Sequence, residues 1–505
     1  MTKVSANSPR PHTDTGLPFS TREFFLEDYG RTLFPLTTNR VLVEHGEAQI
    51  RAFIDERVAK ELPFLPQKRV FAAKDAMHLR RTVKLDPVAE YYIYDIAYKY
   101  RGKFRKPHSD VRQHFGYRFE GGRPIPASKS YSDFKTAVWV QNFVHEHFIG
   151  FDVASCFNSL YHHDLVEWFA TIGASDEDVA TFGRFLRETN AGRSVDCLPH
   201  GLYATKMIGN DFLRFVEESH SLRSSAIVRF VDDFYLFSDD KSALQADFAE
   251  IQRLLGQKGL SINPRKTSTV HHRTEQGEIG ASDVKNKLLD RRRMIVSSSL
   301  YDDDDESEVE VALSLSQEEL DYITDILSTG ELEEEDAELI LTVMRHHTAD
   351  VEKHIPEIML RFPHLAKNVY RFCADIGDKA SVASAVLEAT SSEAVQEYQL
   401  FWFGMMLENY LMDTALAAQI IKALFSHKNA TDVSRAKILE IADQRFGLPE
   451  LRNGFLSSGQ SDWLSWASAV GSRTIKPAAR NYRLGYFMNS SDMNRLVGEI
   501  IKTLP

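Results

Sequence analysis

The chain has 505 residues, 43% of them hydrophobic, enough for several packed domains rather than one. The formal net charge of -12 argues at first against a nucleic-acid protein. It is uneven, however: residues 1–300 carry 42 Lys and Arg against 38 Asp and Glu, and residues 301–505 carry 18 against 34. The first part tolerates a phosphate backbone, whereas the second repels one along most of its surface.

Cys156, Cys197 and Cys373 are far apart without CxxC spacing, so neither a disulfide framework nor a zinc site is suggested and a reducing cytoplasm fits. The N-terminus is polar and Pro-rich with no apolar core of a leader, and no run of 18 apolar residues occurs. The expectation is a soluble cytoplasmic protein without a membrane partner.

In chain order, residues 1–20 hold Ser, Thr and Pro with little to bury and read as a flexible segment. From 21 to 300, helical and strand-like patterns alternate with Gly, Pro and Asn punctuation, as in a mixed α/β domain. HFIGFDVASCFNSLYHH, residues 147–163, runs an apolar strand into Asp152 and then into a helical pattern. CLPHGLYATKMIGNDFL, residues 197–213, sets a Pro and Gly turn at a helix start, where backbone N–H groups can meet a nucleotide.

In RFVDDFYLF, Ile227–Val231 reads as a buried strand and Phe234–Phe237 as a second, leaving Asp232 and Asp233 at the tight turn. Two like charges there cost stability unless a cation neutralises them, although an Asp-Asp turn is by itself a common hairpin element. Asp152 adds a third carboxylate at a strand's end. Three carboxylates from two neighbouring strands suit hard cations such as Mg²⁺, which share oxygen ligands with substrate phosphates. Two such ions would activate an attacking hydroxyl and stabilise leaving pyrophosphate. KGLSINPRKTS, residues 258–268, is a Gly and Asn turn ending with Lys266.

The run SSSLYDDDDESEVE, residues 297–310, self-repels and reads as a solvated linker. Beyond it the pattern is helical: Leu320, Ile323, Ile326 and Leu327 share one face, then Ala337, Ile340, Leu341 and Met344 another, with Gly330 between them. Paired helices with short breaks suggest stacked α-hairpins of the HEAT-like kind, or an irregular bundle.

Asp152 with Phe157, then LPHG with Thr205 and Asn210, then F-V-D-D, then GLSINPRKT resemble palm motifs A, B, C and D of reverse transcriptases, in order, over residues 70–295. Upstream, KDAMHLRRTVKLDP resembles the fingers segment that contacts the incoming triphosphate. The resemblance implies that Asp152, Asp232 and Asp233, with the Val153 carbonyl, hold two Mg²⁺ ions, for which Mn²⁺ can substitute. It implies that Phe157 crowds the sugar 2′-carbon and selects deoxynucleotides, and that His200 and Gly201 line the nucleotide pocket. Lys266 would protonate pyrophosphate. Arg81 would contact the triphosphate, with Arg80 on the opposite strand face as the alternative.

Departures from the usual pattern are His200 where many such enzymes have Gln, Thr205 for Ser, and Phe230-Val231 before the paired Asp. No maturase, HNH or retron-like feature follows the palm.

That combination is similar to the abortive-infection (Abi) group of bacterial reverse-transcriptase-like polymerases of phage defence. It implies an α+β fold: reverse-transcriptase-like fingers and palm over 21–300, then an all-α HEAT-like domain over 301–505 replacing the thumb. It also implies a homo-oligomer that makes single-stranded DNA from deoxynucleoside triphosphates without a template, the product attached to a protein hydroxyl. A conventional RNA-templated enzyme and a catalytically silent phage-sensing scaffold stay open; the intact carboxylate trio speaks against the scaffold.

Tyr29, Tyr482 and Tyr486 are priming candidates among 18 tyrosines. The pairs His162-His163, His271-His272 and His346-His347 point in divergent directions, which disfavours zinc. Arg291–Arg293 read as a solvated face, and FWFGMMLENY, residues 401–410, as a buried helix.

Overall fold

The computed structural model describes residues 19–104, 109–269, 283–298, 313–328 and 332–505. The flexible-segment reading of residues 1–20, for all but its last two residues, Gly330, His271, His272 and the acidic run Asp302–Asp305 lie outside the described residues. Among the described residues no helix is long and apolar enough to cross a membrane.

Among the described residues the strands are β1 Lys68–Ala73, β2 Leu79–Lys84, β3 Arg112–Phe115, β4 Phe119–Glu120, β5 Arg123–Pro124, β6 His147–Asp152, β7 Ala226–Phe230 and β8 Asp233–Ser238. β1 and β2 make an antiparallel hairpin, β4 and β5 a short ribbon, and the remaining four a sheet in the order β3-β7-β8-β6. β3 runs parallel to β7, while β7 with β8 and β6 with β8 are antiparallel.

The central strands are apolar on both faces because helices cover both. Phe148, Ala226, Val228 and Phe237 meet Phe134 of helix Ala127–Val144. Ile149, Phe151, Ile227, Phe234 and Leu236 join the larger core with Leu244, Ile251 and Leu255 of helix Lys241–Gln257. The two-residue alternation of strand side chains divides these sets.

In the C-terminal half, helix Asp283–Ser298 contributes Leu288 and Ile295 to a second core with Ile323, Leu339 and Ile340. Farther on the helices form two rows. Ala366–Asp375, Glu397–Met406, Asp432–Leu439, Trp463–Gly471 and Asp492–Thr503 pack each on the next; Ile355–Arg361, Lys379–Ala389 and Ala417–Ser426 run alongside, followed by Leu448–Leu456 against Pro477–Phe487.

The first row closes onto the N-terminal half. Helix Glu397–Met406 lies against β1, and Trp463–Gly471 and Asp492–Thr503 lie against helix Thr37–Ala59. One core therefore contains Phe24 and Ile50 together with Trp402, Val497 and Ile500. The junction is polar at one point. Leu36, preceding helix Thr37–Ala59, offers no side-chain cap; instead the Glu440 carboxylate accepts from the Thr37 and Thr38 N–H groups at 2.8 and 2.7 Å and from the Thr38 hydroxyl at 2.8 Å. An anion at a helix N-terminus is favourable. Buried Lys437 neutralises it at 2.7 Å and also pairs with Glu408.

Candidate active site

Phe230 pairs with Asp233 across the β7-β8 hairpin, so Val231 and Asp232 alone form the turn. The sequence reading set β7 to end at Val231 and both aspartates in the turn; instead Asp233 is the first residue of β8. Val231 adopts φ +52°, a left-handed conformation that strains a β-branched residue. Arg229 holds it there. This fully buried guanidinium donates to the Val231 carbonyl at 2.7 Å, to Asn210 Oδ1 at 2.8 Å and to both Glu217 oxygens at 3.0 and 2.6 Å. A strained turn persists when its surroundings fix it this firmly.

Asp152 closes β6 directly opposite Asp233 in the register. The three carboxylates thus share one end of the sheet. Burial pushes Asp232 up to about 6, with Asp233 and Asp152 adding repulsion. Asp233 is raised for the same reasons, burial first and Asp152 next. Lys266 Nζ stands 3.3 Å from Asp152 Oδ2. A 3-10 turn, Pro264–Lys266, puts it there, moored to β6 by the Asn263 N–H donating to the Asp152 carbonyl at 2.8 Å and by reciprocal Gly150 and Ser268 bonds at 2.8 Å.

Among the described residues no cation lies within 4 Å of the Asp232 or Asp233 carboxylates. Nor do three or more His, Cys, Asp or Glu side chains form a closed metal cage. The donor set fits a divalent ion in one respect: hard oxygens whose mutual repulsion a cation relieves. Its remaining ligands must come from backbone, water or substrate. Val153, whose N–H donates to the Asp232 carbonyl at 3.1 Å, is the adjacent backbone.

Beside the carboxylates, the Phe157 ring lies 5.1 Å from that of His200. It also rests on Gly209 of helix Tyr203–Phe212, where a Cβ would come within 2.8 Å of it. Asn158 Nδ2 donates to Asp196 Oδ1 at 2.5 Å and to the Arg81 carbonyl at 3.3 Å. Its Oδ1 therefore accepts, and His200 Nε2, at 3.1 Å, carries the proton. Burial, then Arg80, pushes His200 down to about 4, so the ring is neutral at pH 7. The His200 N–H donates to Thr82 Oγ1 at 2.8 Å, and Thr205 ties the same turn to the Pro199 carbonyl at 2.7 Å. Gly201, at φ +93°, lets Leu33 approach; a Cβ would meet it at 2.7 Å.

Arg81 Nε pairs with Asp196 at 2.7 Å, and Arg69 pairs with the same carboxylate. Arg80 shares its strand face with Thr82, next to His200. The β1-β2 hairpin, Asp196, Asn158 and His200 are thus one polar chain. Asp196, Asn158, Arg69 and Gly209 were not singled out from the sequence; each is a lone residue whose partners are distant in the chain.

The other candidates divide. The Tyr29 hydroxyl donates to the Pro35 carbonyl at 2.7 Å and burial raises its pKa, so it is engaged away from the carboxylates. Tyr482 and Tyr486 are 88% and 60% exposed. Arg291 and Arg292 are paired with Glu319 and Glu338 at 2.7 and 2.6 Å. His162 Nδ1 donates to the Ser194 carbonyl at 3.2 Å, and the three cysteines are buried and free. Phe401 to Met406 are buried.

Residues 112–323 match the family model of reverse transcriptase (RNA-dependent DNA polymerase). The match includes the three carboxylates and Lys266 and leaves the β1-β2 hairpin outside. No curated protein matches. Solved structures similar to the chain include apo telomerase from Candida tropicalis, at 13% identity over 72% of this chain and 69% of that one with a TM-score of 0.33. Telomerase from Candida albicans in complex with a TWJ fragment of telomeric RNA is similar at 12% identity over 74% and 70%, with a TM-score of 0.30. The corresponding Candida tropicalis complex gives 12% over 75% and 68%, with a TM-score of 0.31.

Proposed function

We propose, from the reverse-transcriptase domain that this chain carries, a nucleotidyltransferase that extends DNA from deoxynucleoside triphosphates, working in phage defence as polymerases of the abortive-infection group do. In this reading it needs no template and starts from a hydroxyl of the protein itself. The observation that carries the polymerase reading is the convergence of Asp152, Asp232 and Asp233 on one sheet end, with Asp232 pushed up to about 6.

Mg²⁺, or Mn²⁺, held by these carboxylates and the Val153 carbonyl, would supply Lewis-acid activation of the attacking hydroxyl and neutralise the leaving pyrophosphate. The chain's own groups do the rest. Arg81, gripped through Nε by Asp196, presents its outer guanidinium nitrogens to the triphosphate. Lys266, beside Asp152, gives its proton to pyrophosphate. Phe157, wedged between His200 and Gly209, crowds the sugar 2′-carbon, and neutral His200 with Gly201 lines the base side.

The finer reading draws on the helical half. Its two-row array suits a HEAT-like domain in place of a thumb, and it covers the fingers helix rather than standing apart. Tyr482 and Tyr486 keep exposed hydroxyls as priming candidates, whereas Tyr29 does not. Homo-oligomerisation and covalent attachment of single-stranded product belong to the same proposal.

The test is incubation of the purified chain with Mg²⁺ and labelled deoxynucleotides, without primer or template, followed by a denaturing protein gel. Label that stays on the protein, climbs with time and vanishes in Asp232→Asn/Asp233→Asn is the expected result. Activity only on an added primed RNA template overturns untemplated priming; no synthesis under either condition overturns the polymerase reading.

A further inference from the structure

Across β7, β8 and β6 the register sets Phe230, Asp233 and Asp152 side by side, and one step deeper Arg229, Phe234 and Phe151. Neighbouring rows face opposite sides of a sheet, so the second row is the footing of the first. Its members touch in turn. The Arg229 guanidinium lies 5.4 Å over the Phe234 ring, and Phe234 stacks on Phe151 at 5.1 Å with the planes 4° apart. Each ring belongs to a residue adjoining a carboxylate, Phe234 next to Asp233 and Phe151 next to Asp152. Through the Val231 carbonyl the same guanidinium grips the residue before Asp232. All three acids are therefore keyed to one side chain.

Stability alone does not account for this choice of residue. A buried guanidinium and carboxylate, here Arg229 and Glu217, stabilise a core no better than apolar side chains of similar size. What the pair adds is a fixed point for the turn, and the turn is boxed in from a second direction as well. Gly116, following β3, approaches so closely that a Cβ would lie 3.2 Å from Val231 Cγ2 and 2.9 Å from Asn210 Nδ2. Arg229, Asn210 and the end of β3 thus impose on Val231 a φ of +52° that a β-branched residue does not choose. Where Asp232 stands is decided by this clamp rather than by the turn.

We propose that Arg229 is a positioning residue that fixes the spacing of Asp152, Asp232 and Asp233 and thereby favours Mg²⁺ over the larger Ca²⁺. Mg²⁺ demands short, near-ideal oxygen geometry, whereas Ca²⁺ accepts a larger and more variable ligand set. Carboxylates free to shift suit the larger ion, and carboxylates held from beneath suit the smaller. The role rests on the reading that these acids hold a divalent ion, and it adds a residue that touches neither ion nor substrate.

The test needs no synthesis. Mg²⁺ and Ca²⁺ are titrated separately into the full chain, and the concentration of each that raises the unfolding temperature is read against Asp232→Asn/Asp233→Asn, since an ion bound only by the folded state stabilises it. In Arg229→Met/Glu217→Met, which removes both buried charges together, the Mg²⁺ requirement rises about tenfold and the Ca²⁺ requirement no more than about twofold. Adding Val231→Gly, which adopts the left-handed turn without strain, brings the Mg²⁺ requirement back to within about threefold of the parent. Where the paired variant shows no cooperative transition, Arg229→Lys carries the same comparison, because it keeps a charge for Glu217 and loses the fork that reaches Val231. An equal rise for both ions, or a rise that Val231→Gly does not reverse, makes Arg229 a core residue only and overturns the proposal. So does an unchanged Mg²⁺ requirement. A parent that responds to neither ion overturns the metal reading itself, and the positioning role with it.

Discussion

His200 shows how one residue's surroundings set its chemistry. Its folded value of about 4 lies below the roughly 6.5 of an unfolded histidine. Stability from this group is therefore fully present above about pH 6.5 and is lost as pH falls toward 4, because the unfolded chain takes the proton first. His200→Gln keeps a donor for Asn158 and removes the titration. Its urea-unfolding free energy relative to wild type should improve by about 2 to 3 kcal/mol between pH 7 and pH 4; an unchanged difference refutes the assignment. At Asp232 the sign is opposite. A raised carboxylate destabilises the folded chain at neutral pH, so Asp232→Asn in metal-free buffer should raise stability by about 1 to 2 kcal/mol. Added Mg²⁺ should raise the unfolding temperature of wild type and leave that of Asp232→Asn/Asp233→Asn unmoved. Asp152, Asp232, Asp233 and Lys266 were legible because each sits in a short apolar or turn context that announces it. Asp196 was not: its partners Asn158 and Arg69 are 38 and 127 residues away, and nothing local marks it.

Among the elements, the β7-β8 hairpin was legible as two apolar runs around paired acids. Its register was not, because a strained Val231 turn depends on Arg229, Glu217 and Asn210, which only the fold brings together. Helix ends divide the same way. Asp86 before Pro87 and the Ser20-Glu23 capping box announce helix starts within a few residues. Helix Thr37–Ala59 has no such local signal, since its cap is Glu440. Glu440→Ala leaves buried Lys437 with Glu408 alone and uncaps that helix, and should cost about 3 to 5 kcal/mol by chemical denaturation. Glu440→Gln should cost less, because the amide oxygen still accepts from Thr37 or Thr38. Equal, small losses in both variants would show that the carboxylate is not holding the junction.

For the whole molecule, alternating patterns before residue 300 and helices after it were readable, as was the acidic bias of the second half. The sharing of one core between the halves was not, because amphipathic faces do not state their partners. Residues 19–269 alone would expose Phe34, the Gly46 face of helix Thr37–Ala59 and the β1 face, which Phe401, Ile500 and helix Glu397–Met406 cover. That fragment should be insoluble or bind hydrophobic dye, whereas the full chain should lose the structure of both halves in a single thermal transition. Two separate transitions, with a soluble fragment, would mean that the halves fold independently.

The Glu440 contact also fixes an order in time. Thr37 and Glu440 are 403 residues apart. At roughly 5–20 residues per second on the ribosome, helix Thr37–Ala59 waits about 20 to 80 s for the carboxylate that completes it. A nascent chain thus carries Asp152, Asp232 and Asp233 well before the scaffold around them can close, and that scaffold is complete only as the last helices emerge.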